Sequence, residues 1–221
     1  MMNRLKAEIK KKEVMIPAEG CRLQGILALP LEAKGLVVFA HGSGSGRLSP
    51  RNNFVARVLQ EANYATLLVD LLEESEAWDQ DKVFDIDLLA YRLLAMGRWL
   101  SLQTETRGWM LGYFGASTGA GAALQAASRE PKGIAAIVSR GGRPDLAMSY
   151  LSTVQAPTLL IVGGNDKAVI SLNESAYAKL RCSKELVIVP GATHLFEEPG
   201  ALEKVAQLAR NWFDKYFLPQ A

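Results

Sequence analysis

Short, largely apolar runs alternate with amphipathic stretches along most of the chain. Residues 36–40, 65–69, 109–114, 134–139, 158–162 and 185–189 each read as a strand buried on both faces, because nearly every position is apolar or β-branched. Between them the apolar positions recur at helical spacing. Residues 52–62 place Phe54, Val55, Val58 and Leu59 on one face, and residues 85–100 do the same with Ile86, Leu89, Leu93, Met96 and Leu100. Helices are also expected over 118–129, rich in alanine, and 201–216. Residues 7–16 and 22–29 read as a further pair of strands joined by a turn containing Pro17 and Gly20, which makes them antiparallel. From residue 36 onward strand and helix alternate, a pattern that calls for parallel strands with right-handed crossovers. The expectation is an α/β fold with a mostly parallel central sheet of about eight strands and helices on both faces. No repeat, low-complexity tract or long linker divides the chain, so 1–221 is read as a single domain.

Two gaps in the pattern bear on access to a site. Only 18 residues separate Ser139 from Thr158, too few for a large cap. Residues 71–82 carry Glu73, Glu74, Glu76, Asp79 and Asp81 and read as an acidic surface loop near the rim.

Ser117 is the centre of Gly115-Ala116-Ser117-Thr118-Gly119, a G-x-S-x-G pentad between the 109–114 strand and the 118–129 helix. A strand that turns sharply into a helix strains its turn residue and needs small neighbours two positions either side. The hydroxyl then stands at a helix N-terminus, where free N–H groups favour negative charge. A serine needs a base to become nucleophilic, and the base needs a third group to fix its tautomer. His194, in Gly191-Ala192-Thr193-His194, follows the 185–189 strand; Asp166, in Gly163-Gly164-Asn165-Asp166, follows the 158–162 strand. All three residues leave the same edge of a parallel sheet, where α/β enzymes place working side chains. The 36–40 strand runs into His41-Gly42-Ser43-Gly44-Ser45-Gly46, whose glycines allow close approach of backbone N–H groups to a substrate. The N–H of Thr118 and that of Ser43 or a neighbour in 42–44 are the candidate oxyanion donors; His41 itself is read as structural.

These motifs resemble those of the α/β-hydrolases, and within them the dienelactone hydrolase-like group, over nearly the whole chain. The order Ser, Asp, His is the one that superfamily uses. Dienelactone hydrolases proper carry a cysteine nucleophile where this chain has Ser117, so the resemblance implies the fold and the triad, with a serine esterase as the activity. The expected reaction is hydrolysis of a small carboxylic ester or lactone through an acyl-enzyme. An acyltransferase using the same triad and a ligand-binding protein without turnover remain alternatives.

Composition adds limits. The chain has 221 residues, 49% hydrophobic and 22% charged, with a net charge of +2. That balance, and a lysine run confined to Lys10-Lys11-Lys12, argues for the solvated face of an edge strand and against nucleic-acid binding. Residues 1–12 lack the apolar core of a signal peptide, and no apolar stretch reaches membrane-spanning length, so a cytoplasmic protein without membrane attachment is expected. Cys21 and Cys182 have neither zinc-site nor disulfide-framework spacing, and neither histidine has a second ligand nearby; no metal or cofactor is expected. Monomer and homodimer are both left open. Arg140, Arg143 and Arg47 follow strands or the glycine loop on the catalytic edge, as does Arg51. A guanidinium fork there suits an acid group on the substrate. The same arginines equally suit surface salt bridges with Asp145 or the acidic loop.

Overall fold

The sheet is built outward from β3 (Leu36–Ala40), whose five residues are all buried. Leu36, Val38 and Ala40 enter one apolar core and Val37 and Phe39 the other, as the two-residue period of a strand requires. We describe the protein from a computed structural model, which covers residues 8–18 and 20–217. Eight strands form one sheet in the order β1-β2-β4-β3-β5-β6-β7-β8. β1 (Ile9–Ala18) and β2 (Cys21–Pro30) are antiparallel, and β2 is antiparallel to β4 (Ala65–Val69). From β4 through β3, β5 (Leu111–Ala116), β6 (Ile134–Arg140), β7 (Thr158–Gly163) and β8 (Lys184–Val189), every pairing is parallel.

Helices α1 (Pro50–Glu61) and α6 (Ala201–Tyr216) cover one face through Val55, Leu59, Val205, Ala209 and Phe213. α3 (Ile86–Leu102), α4 (Thr118–Arg129) and α5 (Lys167–Lys179) cover the other, with Leu89, Leu93, Met96 and a run of α4 alanines in contact with the sheet. The edge strand β1 alternates exposed Glu13, Met15 and Pro17 with buried Ile16 and Ala18. Lys10 and Lys12 lie on it and reach Glu105.

The structure shifts some expected boundaries. β5 begins at Leu111 instead of 109, because its parallel register with β3 starts at Leu36 and Leu111, while Trp109 N closes a turn on Thr106 O. β1 extends to Ala18, paired with Cys21. Expected strand residue Ala7, the first seven positions of the 1–12 segment and turn residue Glu19 lie outside the described residues. Within the acidic loop a single helical turn, α2 (Gln80–Val83), is capped by Asp79, whose carboxylate accepts from Asp81 N and Lys82 N. Only two short 3-10 turns, Pro144–Ala147 and Leu151–Thr153, occupy the interval between β6 and β7, so no large cap is present there. Among the described residues no helix is long and apolar enough to cross a membrane.

Candidate active site at the carboxyl edge of the sheet

Ser117 joins β5 to α4 with φ 50° and ψ −123°, a conformation that L-residues rarely adopt and that persists only where the surroundings enforce it. The enforcement is steric. A Cβ on Gly115 would lie 2.5 Å from Ala120 Cα, and one on Gly119 would overlap the carbonyl oxygens of Ala40 and His41. The bare backbone therefore lets α4 press against β5 and the end of β3. The Ser117 hydroxyl caps nothing and makes no hydrogen bond among the described residues. Directly across from it a Cβ on Gly42 would lie 2.8 Å from Ser117 Cβ, so the glycine keeps the face of the hydroxyl open.

Asp166 occupies the N-cap position of α5, where an aspartate ordinarily accepts from the helix's first N–H groups. Here it does not cap its helix. Its Oδ2 instead accepts from His194 Nδ1 at 2.6 Å. The two loops are joined backbone to backbone: Gly164 N donates to Val189 O, Asn165 N to Ala192 O, and Asn165 Nδ2 to Gly191 O. A side chain at Gly163 would lie 2.5 Å from the carbonyl oxygens of Ala192 and Thr193, so the histidine loop seats directly on the end of β7. Thr193 N donates to Glu198 Oε1, closing the loop's far side. Ser117 and His194 each border the end of β6, with no hydrogen bond between them in the free protein. Ser117 N donates to Arg140 O, and a Cβ on Gly141 would lie 3.5 Å from His194 Nδ1.

The glycine loop is held differently. Buried His41 donates from Nδ1 to Gly42 O and accepts Leu71 N–H on Nε2 at 2.8 Å. That arrangement needs the neutral ring, and burial pushes the imidazole below its ordinary range, beyond what the Gly42 carbonyl and Asp70 restore. Ser43 N, an expected oxyanion donor, donates to the Thr118 hydroxyl at 3.0 Å. Thr118 N–H has no acceptor among the described residues. Asp70 binds Arg47 through both its backbone N–H and its guanidinium.

A cavity of about 1130 Å³ opens between this loop and the acidic segment. It is lined by Gly42, Ser43, Thr118, Arg47 and Asp70 on one side and by Leu72, Glu73 and Trp78 on the other, with Met15, Arg22 and Gln24 from the N-terminal hairpin. The acidic segment is thus a wall of the cavity as well as a surface loop. It is anchored by Arg92, a buried residue of α3 whose guanidinium grips both oxygens of Glu76 at 2.7 and 2.9 Å and also donates to Leu71 O. That pairing holds the Glu76 carboxyl down to about 2. An arginine interrupting the apolar stripe of the 85–100 helix was the available signal in the sequence.

The expected anionic-group anchors separate. Arg143 forms a bidentate pair with Asp145 two residues away, and Arg47 is engaged by Asp70, so these two are salt-bridged in the free protein. Arg140 is buried under Phe196 and makes no hydrogen bond or ion pair among the described residues. Among the described residues no group of three or more His, Cys, Asp or Glu side chains is arranged to hold a metal ion, and Cys21 and Cys182 are free thiols.

Comparison with known proteins adds to this geometry. Residues 23–217 match the model of the Dienelactone hydrolase family. The crystal structure of a dienelactone hydrolase from Anabaena variabilis superposes with a TM-score of 0.92 at 54% identity, covering 94% of this chain and 98% of that one. A Xanthomonas campestris protein described as an α/β serine hydrolase without a lid has a TM-score of 0.78 at 20% identity, covering 96% of this chain and 97% of its own, a likeness of fold. A Mycobacterium tuberculosis protein named "Putative phosphoribosyl transferase" is 54% identical over 93% of this chain. The match takes in 46% of that relative's length, so the chain spans about half of it.

Proposed function

The chain belongs to the dienelactone hydrolase family, and from that premise we propose that it is a serine hydrolase cleaving a small carboxylic ester or lactone through an acyl-enzyme. The observation that carries the reading is the aspartate at a helix N-cap that leaves its own helix uncapped and holds the Nδ1 of a histidine, taken together with a strained serine at another helix N-terminus on the same sheet edge.

In this reading Asp166 fixes His194 with Nδ1 protonated, leaving Nε2 to take the Ser117 proton as the hydroxyl attacks the carbonyl carbon. The Ser117–His194 contact forms as the substrate settles, since the hydroxyl is unbonded in the free protein and such contacts tighten on binding. The new oxyanion is received by Thr118 N–H at the start of α4 and by Ser43 N–H, which passes from the Thr118 hydroxyl to the oxyanion. His194 then returns its proton to the leaving oxygen. Water, deprotonated by the same nitrogen, attacks the acyl-enzyme and restores Ser117.

The substrate is a small molecule whose remote part enters the cavity beside the glycine loop; that cavity reaches the oxyanion donors Ser43 and Thr118, while Ser117, Asp166 and His194 lie outside its lining. The test is a hydrolysis screen over acyl esters, lactones and thioesters with Ser117→Ala as the blank. Saponification lost in the blank supports the reading. Acyl transfer to an added alcohol in preference to water would make the protein an acyltransferase. Turnover of a phosphoribosyl donor with no ester cleavage would replace the reading altogether.

A further inference from the structure

Arg140 is the last residue of β6 and follows Ala136 and Val138 onto the face covered by α1 and α6. Its guanidinium lies 6.0 Å from the centre of the Phe196 ring, it is 7% exposed, and its buried Nε has no partner. A buried guanidinium without a counter-charge is a costly arrangement, and proteins pair such groups. Here the neighbour has the same sign. Burial, with the charge of Arg51 adding to it, lowers Arg140 to about 10.

Arg51 stands in the first turn of α1, which contains no acidic residue, although a helix N-terminus favours negative charge and disfavours positive. Its backbone N–H has no acceptor among the described residues, and its Nε is likewise buried and unpartnered. One terminal nitrogen of Arg51 donates to Glu197 Oε1 at 2.8 Å, but that carboxylate is 63% exposed and does not reach Arg140. Ser49 takes the N–H groups of Asn52 and Asn53, through its hydroxyl and its carbonyl, and Pro50 has none, so the Arg51 N–H is the one left free in this first turn, next to two arginines served among the described residues by one exposed carboxylate.

We infer that Arg140 and Arg51, with the N-terminus of α1, form a binding site for a small oxyanion, a phosphate or carboxylate group, behind the His194 loop. Guanidinium groups take such oxyanions through paired N–H donors, and the free N–H of Arg51 at the start of α1 adds to them. The site adjoins the reacting groups: Arg140 O accepts from Ser117 N, and Phe196 and Glu197 follow His194 by two and three residues. The oxyanion is supplied either by a free anion or by an acid group on the substrate. The site itself does not depend on the hydrolase reading.

The test is calorimetric titration of the protein with inorganic phosphate, and separately with acetate, alongside thermal melts. Saturable binding of one phosphate or acetate is expected, weakened at least tenfold by Arg140→Gln and several-fold by Arg51→Gln. Arg140→Met, which removes the charge and keeps the bulk, melts at or above the wild-type temperature without anion and no longer responds to phosphate. Absence of saturable binding up to about 50 mM of either anion, or unchanged affinity in Arg140→Gln, overturns the site. Titrating Ser117→Ala gives the same readout without turnover, so failure of the site and failure of the hydrolase reading are separable. The source follows from kinetics with a half-ester of a dicarboxylic acid and a neutral ester of equal size. Phosphate competing against the half-ester alone identifies the substrate's acid group; equal effects on both identify a free anion.

Discussion

The two sides of the site are held by different means. On the β7–β8 side, Asp166 and His194 are positioned chiefly by backbone contacts, Gly163 under the histidine loop and loop N–H groups on the carbonyls of Val189 and Ala192, with Asn165 and Glu198 adding one side-chain hydrogen bond each. On the β3–β4 side, the glycine loop and cavity wall are held by side chains: His41 on Leu71, Asp70 on Arg47, Thr118 on Ser43 and Arg92 on Glu76. Backbone seating tolerates no added atom and has no ionisable group, whereas the side-chain staples can be removed one at a time and all but that of Thr118 are ionisable. The proton-handling half is thus rigid, and the half that receives substrate is adjustable.

The largest effect tests the rigid side. Asp166→Asn removes the acceptor that fixes the imidazole while preserving shape, and kcat should fall by about 10³- to 10⁴-fold with little change in KM, measured by steady-state ester hydrolysis. Gly163→Val drives the Ala192 and Thr193 carbonyls aside and moves His194 with them; a displacement near 1 Å should cost about 10²-fold in kcat, with circular dichroism unchanged.

The adjustable side responds less in chemistry and more in stability. Arg92→Met leaves Glu76 without its buried partner and should cost about 3 kcal/mol, lowering Tm by roughly 6–12 °C and raising KM more than it lowers kcat. Acidification acts on the same wall. Glu76 is depressed on folding, so its contribution is complete above its ordinary value of 4.5 and is lost as pH falls toward about 2. His41 is also depressed, so its contribution is complete above 6.5 and declines as pH falls below that value. Hydrogen exchange should therefore show residues 70–78 loosening before the Asp166 and His194 loops as pH falls. The smallest effect belongs to Thr118→Val, which releases Ser43 N–H and should change kcat/KM by about tenfold or less, with Thr118→Ser close to wild type.

The same contrast explains what could be read from the sequence. The strand–turn–helix around Ser117 was legible because its pentad is a local pattern, although Gly119 is demanded by Ala40 and His41 far along the chain, and the succession of strands and helices followed from alternating periodicities. The two-residue shift of β5 was not, since Trp109 and Met110 are as apolar as the strand and only pairing with β3 excludes them. Long-range side-chain pairs were equally hidden. Nothing local announces that Asp70 meets Arg47, which carboxylate Arg92 meets, or that Met15, Arg22 and Gln24 of the hairpin line the cavity. Arg143 and Arg140 looked alike as a motif; only coordinates distinguish an arginine paired with Asp145 from one buried without a counter-charge.

The central claim, an activated serine served by an aspartate-held histidine, is tested most directly by a fluorophosphonate probe read out by peptide mass spectrometry. The account predicts one adduct per chain, on Ser117, formed at least about 10³-fold more slowly in His194→Ala. An unlabelled wild-type protein, an adduct on another residue, or undiminished labelling without His194 would contradict it.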